Sequence, residues 1–182
     1  NPPELQTDEG LNRILHHCQS INDKMAAELN VVRKPLLVKV APDMTDEQLV
    51  HIARTAKQSG ADGIVLSNTT IERPTSGHSR DQSVFVEQGG LSGMPLKDRS
   101  TAMIGTVRKA IGHGWPIIGV GGISNAQDAW EKIEAGATLV QAYSGFVFEG
   151  PALSKQIVHG LAKRLQASNH ASISEVVGSK SN

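Results

Sequence analysis

Apolar residues recur at three- and four-residue steps from about Asp8 to Asn30, which is the spacing of one face of a helix. The members of this stripe are Leu11, Ile14, Leu15, Cys18, Ile21, Met25 and Leu29. The pattern predicts an amphipathic helix that packs the stripe against a core. Because Cys18 lies on the stripe, we expect its side chain to be a buried small apolar group and not a nucleophile.

Four short and nearly continuous apolar runs follow this helix. They occupy residues 35–41, 63–67, 115–120 and 137–142. Continuous runs of this length are typical of parallel strands that are buried on both faces. We therefore predict four strands, near residues 36, 63, 117 and 138.

A helix is predicted after each strand. Behind the first strand, Thr45 and Gln48 form a capping-box pattern, and Gly60 supplies the left-handed residue that ends the helix. Later helices are predicted at about 97–111, at 126–135 and from 151 to about 165. The connection over residues 71–90 is long enough to be a functional loop. A polar tail from about residue 168 is expected to fray.

Strict alternation of strands and helices requires parallel strands with helices packed outside them. Residues 59–65 and 134–140 also repeat one device, in which a glycine ends a helix, an alanine packs under it and a strand begins. This repetition favours an α/β fold of the (βα)8 TIM-barrel type over a doubly wound sheet. A complete barrel needs about 250 residues. Residues 1–182 are therefore predicted to be the C-terminal half of one barrel domain, supplying about its last four βα units.

Composition narrows the classes of partner. Lys and Arg number 18, as do Asp and Glu, so no global field attracts nucleic acid and we expect no such partner. The single cysteine excludes an internal disulfide framework. No apolar run approaches the ~18 to 20 residues of a membrane span, and the first residues lack signal-peptide character, which predicts a soluble chain as given. The histidines show no ligand spacing, and His16 and His17 are adjacent on a predicted exposed turn, so no metal is predicted.

Lys39 is the anomaly of the first strand, because it interrupts an apolar run. It alternates with Leu37 and Ala41, and on a barrel strand these three would face the interior near its mouth. A buried ammonium group requires an anion or an electron-rich acceptor. Two interpretations stay open: Lys39 holds a ligand, or it pairs with Asp43 at the end of the strand.

Polar and glycine residues follow the other three strands, where ligands bind in parallel α/β folds. Asn68 and Thr69 can hydrogen-bond in one plane, as a ring with carbonyl and imide groups requires, or they serve only a turn. Gly121 and Gly122 precede a helix N-terminus, where free N–H groups hold an anion, with a tight turn as the alternative. Together with residues 143–145 after the next strand, they match a barrel phosphate site.

Five segments, taken in order, resemble one enzyme family. They are Lys39-Val40-Ala41-Pro42-Asp43; Ser67-Asn68-Thr69-Thr70; Gly89-Gly90-Leu91-Ser92-Gly93 with Pro95-Leu96; Ile117-Ile118-Gly119-Val120-Gly121-Gly122-Ile123; and Gln141-Ala142-Tyr143-Ser144-Gly145-Phe146. Together they look like class 2 dihydroorotate dehydrogenase, and the resemblance covers about residues 35–165. The Tyr143-Ser144 pair and the Asn68-Thr69-Thr70 run favour class 2 over the soluble classes.

The resemblance implies a flavoprotein that oxidises dihydroorotate to orotate in pyrimidine synthesis and passes electrons through FMN to a quinone. Lys39 would be the catalytic side chain of this half and would lie against the pyrimidine edge of the flavin, where its charge stabilises the reduced ring. The implied FMN contacts are Lys39, Ser67, Gly93, Gly121, Gly122, Tyr143 and Ser144, with Gly122, Tyr143 and Ser144 at the phosphate. Asn68 and Thr69 would bind the substrate ring.

In this family the catalytic base of class 2 enzymes is a serine on a loop after the fourth strand, and its motif does not occur in this chain. We expect it before Asn1, with the first four strands and the quinone entrance, so the N-terminal half of the barrel is an expected partner. That half would attach the protein to the mitochondrial inner membrane in a eukaryote or to the cytoplasmic membrane in a bacterium. The alternatives are another FMN- or phosphate-binding barrel oxidoreductase or isomerase, or a non-catalytic half-barrel partner.

Overall fold

A computed structural model of the chain describes residues 8–73 and 87–180, so part of the predicted 71–90 loop lies outside the described residues. Within these ranges the helices are α1 (Asp8–Leu29), α2 (Asp46–Gln58), α3 (Lys97–Ile111), α4 (Ala126–Ala135), α5 (Ser144–Glu149), α6 (Ala152–Gln166) and α7 (Ile173–Val176). The strands are β1 (Leu37–Val40), β2 (Gly63–Leu66), β3 (Ile117–Val120) and β4 (Leu139–Gln141), and a 3-10 turn, Met94–Leu96, precedes α3.

The four strands form one parallel sheet in the order β1-β2-β3-β4. One cross-strand row runs through Val40, Leu66, Gly119 and Val140. Each strand therefore pairs with the next one along the chain, as in successive units of a barrel. The prediction of four βα units is confirmed, and the carboxyl ends of all four strands meet at one edge of the sheet.

Local sequence signals determine where α2 begins and ends. The Thr45 hydroxyl accepts a hydrogen bond from the Gln48 N–H at 3.3 Å, and the Gln48 side chain accepts one from the Thr45 N–H at 3.0 Å. Behind the helix, Gly60 has φ of +80°. The predicted capping box and glycine stop are both confirmed.

Among residues 8–73 and 87–180, helices cover only one face of the sheet. On that face, Ile64, Leu66 and Ile117 are almost fully buried against residues of α2 and α3, among them Leu49, Ala53, Met103, Ile104 and Val107. The opposite face carries a row of half-buried or exposed side chains, Lys39, Val65, Ile118 and Leu139. The sequence predicted strands buried on both faces, and the residues that the structure describes cover one of them. The uncovered face is the side that points inward in a closed barrel.

Cys18 is exposed, so the prediction that it is buried is wrong. The apolar stripe of α1 reaches the core only through Leu11 and Leu15, which pack with α2. Farther along the helix, Ile21 and Leu29 are 49% and 63% exposed. The inward face of α1 continues instead through polar side chains: Gln19 donates to the carbonyl of Ser59 at 2.9 Å, and Asn22 donates to that of Lys34 at 2.6 Å. The stripe is correctly read as a helix face, but described residues cover only its first part.

The C-terminal tail packs against α4, so the prediction of fraying is wrong for residues 168–180. Val176 in α7 is fully buried beside Trp130 and Ile133. The backbone continues this contact, because the N–H of Gly178 donates to the carbonyl of Ile133 at 3.0 Å. The buried side chain of Val176 thus anchors the polar C-terminal segment against α4. None of the described helices combines the length and the apolar character needed to cross a membrane.

Candidate ligand site

A cavity of about 280 Å³ lies at the carboxyl ends of the strands. All nine residues selected from the sequence line it: Lys39, Ser67, Asn68, Thr69, Gly93, Gly121, Gly122, Tyr143 and Ser144. Residues without an assigned role complete the lining: Ser92, Leu96, Val120, Ile123, Gln141, Ala142 and Gly145. Segments more than a hundred residues apart in sequence thus converge where ligands bind in parallel α/β folds.

Lys39 is exposed on the uncovered face of β1 and lines the cavity. Among the described residues it forms no ion pair. The Asp43 carboxylate accepts hydrogen bonds from the Thr70 hydroxyl and from the N–H of Ile71 instead. The alternative in which Asp43 pairs with Lys39 is therefore wrong, and Lys39 lines the cavity without an ion-pair partner among the described residues.

The segment after β2 is fixed through its backbone, which leaves side chains for other contacts. The N–H of Ser67 donates to the carbonyl of Val120 at 3.2 Å, and the N–H of Asn68 donates to the carbonyl of Val40 at 2.8 Å. The peptide bond before Ser67 is cis. Within the described part of the chain, neither the Asn68 amide nor the Thr69 hydroxyl has a hydrogen-bond partner, so neither side chain caps the turn.

The Gly121-Gly122 turn follows β3 with φ of +113° and +67°. A Cβ atom on Gly122 would lie 2.5 Å from the Cβ of Lys97, so this turn sits directly on the first residue of α3. In residues 8–73 and 87–180, no acceptor pairs with the N–H of Gly121 or Gly122. Both donors remain available to a ligand, as an anion-binding turn requires.

A second turn of the same kind follows β4. Across residues that the structure describes, the N–H groups of Tyr143 and Ser144 at the start of α5 have no acceptor. The Ser144 hydroxyl lies 2.7 Å from the Ser92 hydroxyl, which ties this turn to the loop before α3. A Cβ atom on Gly145 would lie 2.1 Å from the carbonyl oxygen of Ile123, so only glycine permits the two strand-end turns to approach this closely.

A buried polar cluster beneath the glycine turn was not predicted from the sequence. Lys132 and Ser100 are both fully buried, and their side chains are 2.6 Å apart. Close by, Lys97 pairs with Asp128 at 2.6 Å and with Glu131 at 3.0 Å. Hydrogen bonds to these two carboxylates raise the pKa of Lys97. The only signal in the sequence is that Lys132 directly precedes Ile133 on the apolar side of a predicted helix, which alone is weak.

No group of three or more histidine, cysteine or acidic side chains within the described ranges is arranged to hold a metal ion. His16 and His17 are exposed on α1. The donors around the cavity are instead N–H, hydroxyl, amide and ammonium groups. Such a set recognises a ligand that is rich in acceptor oxygens.

Comparison with known proteins finds one family. The sequence pattern described as dihydroorotate dehydrogenase matches residues 2–165. The chain is 43% identical to dihydroorotate dehydrogenase (quinone) of Streptomyces griseus, over 97% of this chain and 47% of that protein. It is 45% identical to the protein of the same name from Rhizobium johnstonii, over 95% of this chain and 47% of that protein. The chain thus spans about half the length of these curated relatives.

Solved structures give the same result for the fold. The crystal structure of DHODH in complex with ferulenol from Eimeria tenella superposes with a TM-score of 0.85 at 32% identity. The match covers 97% of this chain and 49% of that one. The ligand-free form from the same organism gives a TM-score of 0.85 at 33% identity, covering 51% of its chain. The four βα units of this chain therefore match about half of a larger TIM-barrel structure.

Proposed function

This chain belongs to the dihydroorotate dehydrogenase family, and on that premise we propose that it forms the C-terminal half of a quinone-linked dihydroorotate dehydrogenase. The reaction removes two electrons and two protons from dihydroorotate to give orotate, in pyrimidine biosynthesis, and reduces a quinone to a quinol. The observation that carries this proposal is the convergence of all nine selected residues on one cavity at the carboxyl ends of the strands. Composition alone would not distinguish this activity from others on the same fold.

The donors around the cavity fit FMN. A flavin mononucleotide presents a dianionic phosphate and a ring edge of carbonyl oxygens, and the cavity offers two glycine-rich turns with free N–H groups and an ammonium group without an ion-pair partner among the described residues. The cavity of about 280 Å³ is near the lower limit of ~300 Å³ for ligand pockets, so this chain would enclose part of the cofactor. When bound, FMN would accept a hydride from the substrate and deliver electrons to the quinone.

The phosphate would be held by the two strand-end turns. Gly121 and Gly122 after β3, and Tyr143 and Ser144 after β4, contribute N–H donors without protein acceptors among the described residues. The Ser144 hydroxyl adds a donor, and the hydroxyl of Ser92 beside it would orient that group. Barrels commonly bind phosphate after strands 7 and 8, and these two strands would hold those positions in a complete barrel.

Lys39 and the Ser67–Thr69 segment would arrange the reacting partners. The ammonium group of Lys39 would stabilise negative charge that develops on the flavin ring, an effect that grows as water is excluded. The hydroxyl of Ser67 donates to the carbonyl of Asn68 at 2.9 Å, so Ser67 would contact FMN from a fixed position, and Gly93 would do so without a side chain. Asn68 and Thr69, with side chains free of protein partners in the described ranges, would bind dihydroorotate and orotate.

The partner we propose for this chain is the N-terminal half of the same barrel. Within the described residues, β1 pairs only with β2 and β4 only with β3, which leaves two sheet edges. No described residue range packs a helix on the inner face of the sheet either. Four further strands would pair both edges and cover that face, and they would carry the serine base. Because quinones dissolve in membranes, we propose that the assembled protein works at a membrane surface: the mitochondrial inner membrane in a eukaryote, the cytoplasmic membrane in a bacterium.

The test uses the complete natural polypeptide that carries this sequence, purified without added flavin. We expect the visible absorbance bands of flavin, release of FMN on denaturation, and quinone reduction that depends on dihydroorotate with orotate as product. A protein that contains no flavin and takes up none would overturn the proposal. Bound flavin without oxidation of dihydroorotate would point to another FMN oxidoreductase or an isomerase on the same barrel.

A further inference from the structure

Lys132 lies beneath the glycine turn at the carboxyl end of β3 and has no part in the proposed chemistry. Its side chain is fully buried between α4 and α3. The ammonium nitrogen donates to the Ser100 hydroxyl at 2.6 Å, to the Thr101 hydroxyl at 3.0 Å and to the carbonyl of Lys97 at 3.3 Å. No carboxylate of the described residues forms an ion pair with it, because Asp128 pairs with Lys97 instead.

Burying a lysine among neutral oxygens is unfavourable, and the structure retains it. Loss of hydration lowers the pKa of Lys132 to about 8, the positive charge of Lys97 adds to that effect, and the charges of Asp128, Glu131 and Asp98 oppose it. An apolar residue of similar length would avoid this desolvation. Stability therefore does not explain why this position holds a lysine, and the contacts of its amine must.

Ser100 connects the amine to the turn. Its hydroxyl lies 3.3 Å from the carbonyl oxygen of Gly121 and 3.2 Å from that of Lys97. A hydroxyl has one proton to donate, and Lys132 occupies its lone pair. The proton of Ser100 is therefore directed at these carbonyl oxygens, one of which belongs to the turn that presents the free N–H groups.

The stem of Lys132 also contacts the strand that leads into the turn. A Cβ atom at Gly119 would lie 3.2 Å from Cδ of Lys132, and one at Gly121 would lie 2.9 Å from Oγ of Ser100. The backbone of 119–121 thus rests directly on this lysine and this serine. Gly122 rests on Lys97, whose carbonyl the same amine holds.

We propose that Lys132 is a positioning residue which, through Ser100 and the first turn of α3, holds the Gly121-Gly122 turn in the conformation that binds the phosphate of the flavin. This proposal rests on the proposed function for its ligand, but the support of the turn is a property of the chain itself. In this proposal Lys132 contacts neither the cofactor nor the substrate. It sets the direction of two N–H groups from below.

The test compares FMN with riboflavin, which has the same ring and no phosphate, in the complete natural polypeptide after flavin removal. Lys132→Met keeps the length of the side chain and removes its donors. We expect the dissociation constant for FMN, measured by quenching of flavin fluorescence, to rise about tenfold, while that for riboflavin changes little. Ser100→Ala should reduce the preference for FMN in the same way. Lys155→Met, at an exposed lysine of α6, is the matched control and should leave both constants unchanged.

A second readout does not depend on flavin. Amide hydrogen exchange of fragments covering residues 117–124 should be faster in Lys132→Met and in Ser100→Ala than in the wild type and the Lys155→Met control. An unchanged FMN preference in a folded variant, or equal losses for FMN and riboflavin, would overturn the positioning role. If the wild type binds no flavin, the proposed function fails, and the exchange rates decide the support of the turn: faster exchange supports it and unchanged exchange overturns it.

Discussion

The two ends of the parallel sheet treat their polar groups in opposite ways. At the end where strands begin, two large side chains, those of Arg108 and Trp115, pair their polar groups within the chain. Arg108 is almost fully buried and donates to the carbonyl of Gly136 at 2.7 Å, to that of Gly112 at 2.7 Å and to that of Trp115 at 3.3 Å. The Trp115 ring N–H donates to Ala61 at 2.8 Å, so one cation and one indole connect the loops before three strands.

At the end where strands finish, donors are left over. Lys39 has no ion-pair partner, and the N–H groups of two turns have no acceptor, within the residues that the structure describes. Residues that carry these donors line the cavity, where a ligand can bind them. The amino end of the strands, here called the entry end, is thus connected by the chain's own hydrogen bonds, whereas residues at the carboxyl end, here called the exit end, line a cavity and keep donors without protein acceptors. Barrels in general separate stability from ligand binding in this way. Substitutions at the two ends should therefore separate the two properties.

The largest expected effect is at the entry end. Arg108→Met leaves several carbonyl oxygens without donors in a buried place, and we expect the free energy of unfolding to fall by about 3 to 5 kcal/mol in urea titrations. The ratio of FMN to riboflavin affinity should not change, because Arg108 serves the opposite end of the sheet from the turns. Arg13→Met, at an exposed arginine of α1, should stay within about 0.5 kcal/mol of wild type. A loss below about 1 kcal/mol for Arg108→Met would contradict the structural role.

The second effect concerns Lys132, which is buried between α3 and α4 beneath the Gly121-Gly122 turn. Its pKa is about 8 in the folded chain against 10.5 as the ordinary value, so between these pH values the unfolded chain holds more protons. The free energy of unfolding must then rise with pH across this window, by about 3 kcal/mol from this group. Lys132→Met should remove that rise, measured as the difference between wild-type and variant urea curves from pH 7.5 to 10.5.

Lys155→Met should retain the alkaline rise, because its side chain is exposed on α6. Parallel wild-type and Lys132→Met curves over the whole pH range would mean that the amine is hydrated in the folded protein. That result would remove the desolvation argument for Lys132 while leaving its contact with Ser100 to be judged by flavin selectivity.

Much of the fold follows from local sequence patterns, since periodicity and capping signals act within a few residues. Thr45 and Gln48 form their capping box as predicted, and α3 and α4 have the predicted bounds. The prediction for Cys18 failed because the inward face of α1 continues through Gln19, which donates to the carbonyl of Ser59, and not through Cys18. This contact joins residues 40 positions apart, and no local pattern encodes it. The docking of Val176 was missed for the same reason, because its partner Trp130 is distant in sequence.

The candidate site was predictable where residues follow strands. Strand ends of a parallel sheet meet at one edge, so locating the strands also located Lys39, Asn68 and Gly122. The support beneath the site was not predictable, because Lys132 and Ser100 lie on helices and meet only through tertiary packing. The position of Lys132 next to Ile133 is only a weak sign that the lysine points inward. The assigned roles of the cavity residues stay predictions until flavin binding is measured.

A third, smaller effect separates backbone strain from crowding at the ligand end. Gly122→Ala places a Cβ at φ of +67° and against Lys97, and we expect a stability loss of about 1 to 2 kcal/mol together with at least tenfold weaker FMN binding. Gly112→Ala is the matched control, because Gly112 has φ of +76°, lies at the entry end and has open space where a Cβ atom would be added. Gly112→Ala should lose stability and keep the wild-type affinity for FMN. An equal loss of FMN affinity in Gly122→Ala and Gly112→Ala would contradict a local role for the 121–122 turn.

The smallest expected effect on stability is at Lys39, and there the two ends can be compared on one strand. Lys34 and Lys39 are both exposed. Lys34 precedes β1 at the entry end, and Lys39 lies within β1 near the exit end. Neither side chain forms an ion pair within the described residues. Lys34→Met and Lys39→Met should therefore each stay within about 0.5 kcal/mol of wild type.

Function should separate these two lysines although stability does not. We expect Lys39→Met to slow the reduction of bound flavin by dihydroorotate about 10² to 10³-fold in anaerobic stopped-flow measurements, because it removes a positive charge aimed at the cavity. Lys34→Met should reduce flavin at the wild-type rate. If Lys39→Met also kept the wild-type rate, Lys39 would be an exposed lysine like Lys34, and the exit end would owe its ligand preference to the backbone turns alone. A slowed rate with unchanged stability would instead show that the free charge at the exit end serves the reaction and not the fold.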